Sequence, residues 1–163
     1  MKNDIFFMGR ALELAKMAGE AGEIPVGAVV VKDGEIIAEG HNLRESAHRA
    51  TAHAELLAIE SACATLGTWR LSGCTLYVTM EPCPMCAGAL VNSRIDRVVF
   101  GCKDAAAGCC GSVLNFNSYP FNHAFSLTGG VLAEASQALL REFFQKRRNE
   151  KNEKNEKNEK AAK

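Results

Sequence analysis

The sequence predicts an α/β fold, a three-layer α/β/α sandwich with a mixed, mostly five-stranded sheet between helices. Three observations predict it. Val26–Val31 and a second run from Glu35 to Ala38 flank Asp33-Gly34, the signature of an antiparallel hairpin. Strand-like Cys74–Thr79, helix-like Pro82–Asn92 and strand-like Arg97–Phe100 then follow with short joints, a βαβ unit with parallel strands. Amphipathic segments near both ends of the chain supply the remaining helices.

In chain order, Ile5, Met8, Leu12 and Ala15 recur at helical spacing, and Gly19 and Gly22 end that helix. The hairpin follows and closes at Gly40-His41-Asn42. A polar loop leads to a helix over about Ala52–Ala64, with Leu56, Ile59 and Cys63 expected on its inward stripe. After the βαβ unit a loop through Gly111 precedes a fifth strand near Phe125-Ser126-Leu127. The last helix is expected over about Ala133–Arg148, its apolar face made of Leu139, Leu140, Phe143 and Phe144. Residues 1–148 therefore read as one domain. Residues 149–163 repeat Asn-Glu-Lys and form a low-complexity tail, either disordered or a solvated extension of the helix.

Length and composition narrow the function classes. With 163 residues the chain is long enough to bury a core of its own. No apolar run approaches membrane-spanning length, and the start lacks the apolar stretch of an export signal. A cytoplasmic setting is expected, where seven cysteines at uneven spacing stay reduced. Net charge is zero, and without the residues from Asn149 onward there are 14 basic and 15 acidic residues. Composition alone thus gives no basic surplus of the nucleic-acid-binding kind. One basic cluster, Arg141, Lys146, Arg147 and Arg148, surrounds Phe143 and Phe144 and could hold phosphates while aromatics stack on bases.

The chemistry concentrates in His53-Ala54-Glu55 and Pro82-Cys83-Pro84-Met85-Cys86. Two cysteines three positions apart with a distant histidine make a three-ligand set for zinc. A structural site closes with four protein ligands, whereas a catalytic one leaves a position for water. The cysteines start a helix, where the dipole favours thiolates. Glu55 stands in the wrong register for a capping box anchored at Thr51, so it reads as the proton carrier. Cys109-Cys110 could in principle close the site as structural ligands, but adjacent cysteines rarely both reach one metal.

The pattern H-x-E…P-C-x-x-C matches the known signature of zinc nucleobase deaminases. From the first helix to about Arg148 the chain resembles the bacterial tRNA-specific adenosine deaminases of the cytidine-deaminase fold. The resemblance rests on Ile24-Pro25-Val26-Gly27-Ala28, Gly40-His41-Asn42, both zinc motifs, and Lys103-Asp104 with Gly108 and Gly111-Ser112. Asn122-His123, Gly130-Val131-Leu132 and Phe143-Phe144 extend it. It implies hydrolytic deamination of adenosine to inosine at the wobble position of a tRNA anticodon, by zinc-activated water with Glu55 as proton shuttle. It also implies one zinc per chain on His53, Cys83 and Cys86, a tRNA anticodon stem-loop as partner, and a homodimer. Asn42 matches the base-binding asparagine, Val26 a wall of the pocket, and the Ala54 amide is expected at the base edge. Asp104, Asn122 and His123 match loop positions that touch RNA. Two departures remove basic groups: Ala105-Ala106 replaces Pro-Lys, and Leu43 stands where arginine is common. The rival expectations are a deaminase of a free base or nucleoside, of guanine or cytosine type, and a non-catalytic zinc-stabilised protein.

Overall fold

The structure is a computed structural model and describes residues 2–161. Its elements are α1 (Lys2–Glu20), β1 (Gly27–Lys32), β2 (Glu35–His41), α2 (Ala54–Leu66), β3 (Cys74–Met80), α3 (Pro84–Asn92), β4 (Arg97–Cys102), a 3-10 turn (Phe116–Ser118), β5 (Ser126–Gly129) and α4 (Ala133–Ala161). One five-stranded sheet runs in the order β2-β1-β3-β4-β5. β1 is antiparallel to β2 and β3, while β3, β4 and β5 are parallel, so the sheet is mixed as expected.

Strand alternation divides the core. Ala28, Val30, Leu76, Val78 and Val98 face α2 and α3, whereas Val29, Val31, Tyr77 and Val99 face α1. α4 packs beside α1 and against β4, which completes the three layers. Fully buried aliphatics such as Leu76 and Leu90 each contribute about 1.5–3 kcal/mol through removal from water. α1 is also pinned electrostatically. Arg97 donates two bonds of 2.9 Å to the Asp4 carboxylate, and the Tyr77 hydroxyl donates a third at 2.8 Å. The Arg97 guanidinium holds the Asp4 carboxyl below its ordinary range.

α2 departs from the expected stripe. Its buried residues are Ala54, Glu55, Ala58, Ile59 and Ala62, while Leu56 and Cys63 are only half-buried. The reason is close approach: a Cβ on Gly40 would run into the Ala54 carbonyl and the Ala58 amide. Helix and strand touch backbone to backbone there, which requires small residues on the helix and glycine on the strand. α4 departs in length, running helically through the Asn-Glu-Lys repeat as far as Ala161; residues 162 and 163 lie outside the described residues. Among the described residues, no helix is long and apolar enough to cross a membrane.

Candidate active site

Two helix starts meet past the C-terminal end of β3. His53 caps α2 with extended backbone (φ −80°, ψ 149°), and Cys83 caps α3 similarly (φ −74°, ψ 174°). Pro84 fits the first turn of α3 because its fixed φ suits a helix and its missing N–H is not needed there. Neither side chain caps the free amides of its own helix start, and the two lie 3.7 Å from each other instead.

His53 Nδ1 lies 3.7 Å from Cys83 Sγ and 3.6 Å from Cys86 Sγ, and the three atoms fall within 4.8 Å of one another. Zinc bonds of about 2.0–2.1 Å to nitrogen and 2.3 Å to sulfur, at tetrahedral angles, would separate N and S by about 3.5–3.6 Å. The donor set therefore fits one zinc ion per chain. Among the described residues this is the one such cluster, and Cys109 and Cys110 take no part in it. The electrostatics agree with a thiolate ligand. The hydrogen bond from the Cys86 thiol, helped by His53, lowers the Cys83 pKa to about 4. The same bond and burial push Cys86 upward.

Glu55 sits in the first turn of α2, 4% exposed. Burial pushes its carboxyl up to about 7, and the negative charge of Cys83 adds to the rise. It lines a cavity of about 240 Å³ together with His53, Cys83, Asn42, Val26 and Asp104. That is smaller than the ~300–1,000 Å³ of pockets for drug-sized ligands and suits a single base. Ile24, Arg44, Met80, Leu140 and Phe144 complete much of the wall.

Asn42 is more than the turn residue its glycine neighbour suggests. Its Oδ1 accepts the Ala54 N–H at 2.9 Å, and its Nδ2 donates to the Ile24 carbonyl at 3.0 Å. It thereby laces the segment before β1 to the start of α2. The Ala54 amide, expected at a base edge, is engaged by Asn42, so a base could meet it only by sharing or displacing that bond. Asp104 accepts from the Ala106 and Ala107 amides through Oδ1, fixing its own turn. Asn122 and His123 do not line the cavity of this chain. His123 Nε2 lies 2.6 Å from the Ile95 carbonyl, ahead of β4, whereas the cavity lies past that strand's other end.

The sequence reading missed two buried acids. Glu23 accepts from the Glu45 and Ser46 amides and the Ser46 hydroxyl, holding the loop that carries Arg44. Glu81, 2% exposed, accepts from the loop after β4. The only sequence signal for either was an acid placed directly before an apolar or proline-containing turn, Glu23-Ile24-Pro25 and Glu81-Pro82.

Comparison with known proteins places this geometry. Residues 1–102 match the family described as the cytidine and deoxycytidylate deaminase zinc-binding region. A tRNA-specific adenosine deaminase of Bacillus subtilis (strain 168) is 52% identical over 152 residues, covering 93% of this chain and 94% of that protein. A structure from a study of A-to-I editing by tRNA:A34 deaminases at the wobble position of transfer RNA superposes with a TM-score of 0.81. It is 43% identical and covers 83% of this chain and 99% of that one. A guanine deaminase from Nitrosomonas europaea is more distant, 31% identical with a TM-score of 0.75, covering 84% and 82% of the two chains.

Proposed function

This chain belongs to the cytidine and deoxycytidylate deaminase family, and from that premise we propose that it deaminates adenosine to inosine at the wobble position of a tRNA anticodon. The observation that carries the choice of RNA over a free base is the mouth of the cavity. It adjoins a groove of about 280 Å³ that shares Ile24, Asn42, Arg44 and Phe144 with it and adds Phe143, Arg147 and two acids, Glu23 and Glu45, of which Glu23 is buried with its carboxylate bonded to the Glu45 and Ser46 amides. A free base needs only the inner cavity. A base that arrives on a strand needs a cation for its phosphates and aromatic faces for its neighbours, and the groove supplies both. The full-length likeness to tRNA-specific adenosine deaminases points the same way.

His53, Cys83 and Cys86 would hold the zinc ion, which when bound makes water nucleophilic near neutral pH. The remaining work falls to the chain's own groups. Glu55 takes a proton from the attacking water and passes it to N1 of adenine, beside the carbon under attack. A second transfer through Glu55 goes to the departing amine, so water adds at C6, ammonia leaves and inosine remains. A carboxyl held near neutrality by burial can both accept and release that proton. Val26 forms an apolar wall for the base. Asn42, itself oriented by the Ala54 amide and the Ile24 carbonyl, would present its remaining lone pair and N–H to the base edge. Flipping costs least for a base in a loop, where it is already unpaired.

We further infer a cytoplasmic homodimer. Seven free cysteines accord with a reducing compartment. Exposed apolar side chains, including Met85 on α3 and Val113, Leu114, Tyr119 and Phe121 after β4, accord with a covering subunit. On this reading Asn122 and His123 would act in the assembled enzyme.

The test is ammonia release from an anticodon stem-loop with a wobble adenosine, free adenosine, guanine and cytidine, side by side. The stem-loop should be turned over far better than the rest. Equal or better turnover of guanine or cytidine, without RNA binding, would transfer the chain to the free-base deaminases.

A further inference from the structure

Glu81 occupies a position that the chemistry above does not use. It lies between the last residue of β3 and the Pro82-Cys83 turn, is almost wholly buried, and lines the cavity. Both of its oxygens are fully engaged. Oε1 accepts the Cys110 amide at 2.9 Å and the Ser112 amide at 3.0 Å. Oε2 accepts the Asp104 amide at 3.0 Å and the Ser112 hydroxyl. All four donors belong to one loop, 104–112, which carries Asp104 and Ala107 into the cavity wall.

Two further contacts fix the same junction. Cys109 N donates to the Pro82 carbonyl at 2.9 Å, and Glu81 N donates to the Cys102 carbonyl at 2.8 Å. Gly108 completes the fit, since a Cβ there would overlap the Glu81 carboxyl carbon. None of these partners is a cation. The charge is balanced by three amide dipoles and a hydroxyl, an anion cradle made by the chain for its own carboxylate.

We propose that Glu81 is a positioning residue. It clamps the 104–112 loop to the turn that bears Cys83, and so sets the wall against which the substrate base and its flanking nucleotides rest. This rests on the deaminase reading for its substrate, though not for the clamp itself. Direct proton transfer by Glu81 is excluded on geometry, because each oxygen already holds two donors. Glu55 and Cys86 sit on α2 and α3 and His53 and Cys83 cap their starts, so none of them belongs to the 104–112 loop. Loosening the loop should therefore weaken substrate binding more than the chemical step.

Glu81→Gln tests this in the zinc-loaded full chain. A carboxamide turns one oxygen into a donor, so in either orientation at least two of the four bonds are lost. Hydrogen exchange at the amides released, either Asp104 or the Cys110 and Ser112 pair according to the carboxamide's orientation, should accelerate by about tenfold or more, the scale of losing a hydrogen bond to a charged group. Zinc should stay at one per chain, and KM for the stem-loop should rise by about tenfold while kcat falls much less. Gly108→Ala, which disturbs the clamp from the loop side, should reproduce the KM rise, and it decides the matter if Glu81→Gln does not fold. Unchanged exchange at the three amides, or zinc lost in step with activity, would overturn the proposal. If the wild type fails on the stem-loop, the tRNA reading falls, and amide exchange with KM for whichever base is turned over still judges the clamp.

Discussion

α2 and α4 border the same cavity and are held there in opposite ways. α2 is set into the sheet through Gly40 and its own alanines, with Glu55 buried among them. Of α4 only Ser136 is fully buried; Leu139, Leu140 and Phe143 are half-covered, and Phe144 is 43% exposed. Its outer part is tied down by Arg147, which donates to the Gly22 carbonyl at 2.6 Å and lies 5.1 Å over the Phe143 ring. The difference matches the tasks. Proton transfer tolerates little displacement, so its groups ride on the helix that cannot shift. An RNA strand must be admitted and released, and the wall that meets it is the loosely docked one.

The sharpest way to break the comparison is at Glu55. Glu55→Ala should lower kcat by about 10²–10⁴-fold, the usual worth of a positioned acid–base group. Zinc content and the melting curve should stay near wild type, because Glu55 is not a ligand. His53→Ala should lose metal and activity together. Metal analysis beside single-turnover rates separates the two, and an active Glu55→Ala would remove the assigned proton carrier.

The next effect concerns the seat of α2. Gly40→Ala forces a methyl between β2 and α2 and should cost about 1–3 kcal/mol through overpacking. Thermal unfolding should show this as a lower Tm, with turnover falling as His53 and Glu55 shift. A neutral outcome would mean that α2 can slide, and the contrast with α4 would collapse.

On the loose side the effects should appear in binding. Phe144→Ala should weaken stem-loop binding by about 1–3 kcal/mol, the range for a base stacked on an aromatic ring. Its Tm should fall little, since that ring is 43% exposed and packs mainly on Phe143. Arg148→Ala should reduce the salt slope of binding by about 0.7 log units per decade. Arg148 is a cleaner probe than Arg147, whose guanidinium also anchors α4 to Gly22. Titrations at several salt concentrations check both.

These residues also mark where sequence reading works. His53, Cys83 and Cys86 were legible because a metal fixes ligand types and spacing, and the structure brings their donor atoms within 4.8 Å. The antiparallel hairpin and the parallel β3–β4 pair followed from the Asp33-Gly34 turn and from the short joints of the βαβ unit, whereas the β1–β3 pairing that joins them carried no local signal. The stripe of α2 was misread because hydropathy favours Leu56 and Cys63, while the fit against Gly40 demands Ala54 and Ala58. Glu81 and Glu23 stayed invisible because their partners are backbone amides distant in sequence, which carry no residue signature. Asn122 and His123 show the converse: a family match names residues, yet it does not say where one chain alone will put them.

The smallest effect belongs to the tail. α4 continues through the Asn-Glu-Lys repeat with every described residue from Asn149 onward exposed, so no core holds it. Its helicity has a local source. Glu150 and Lys154, Glu153 and Lys157, and Glu156 and Lys160 are spaced i,i+4 with the acid first, each pair worth about 0.2–0.5 kcal/mol. Lys151, Lys154 and Lys157 follow Arg147 and Arg148 along the groove that begins at Phe144, which would suit a phosphate chain, but Glu150 and Glu153 line it too, and over the tail from Asn149 five lysines face four glutamates. With the two signs nearly balanced, the net pull on RNA should be slight. Truncation after Arg148 should change stability by no more than about 0.5 kcal/mol and kcat/KM by no more than about twofold, as for ordinary surface changes. If truncation instead raises KM several-fold and flattens the salt dependence, the lysines reach the RNA despite their neighbours. The loose wall would then extend well past Arg148, along a helix that no core contact keeps in shape.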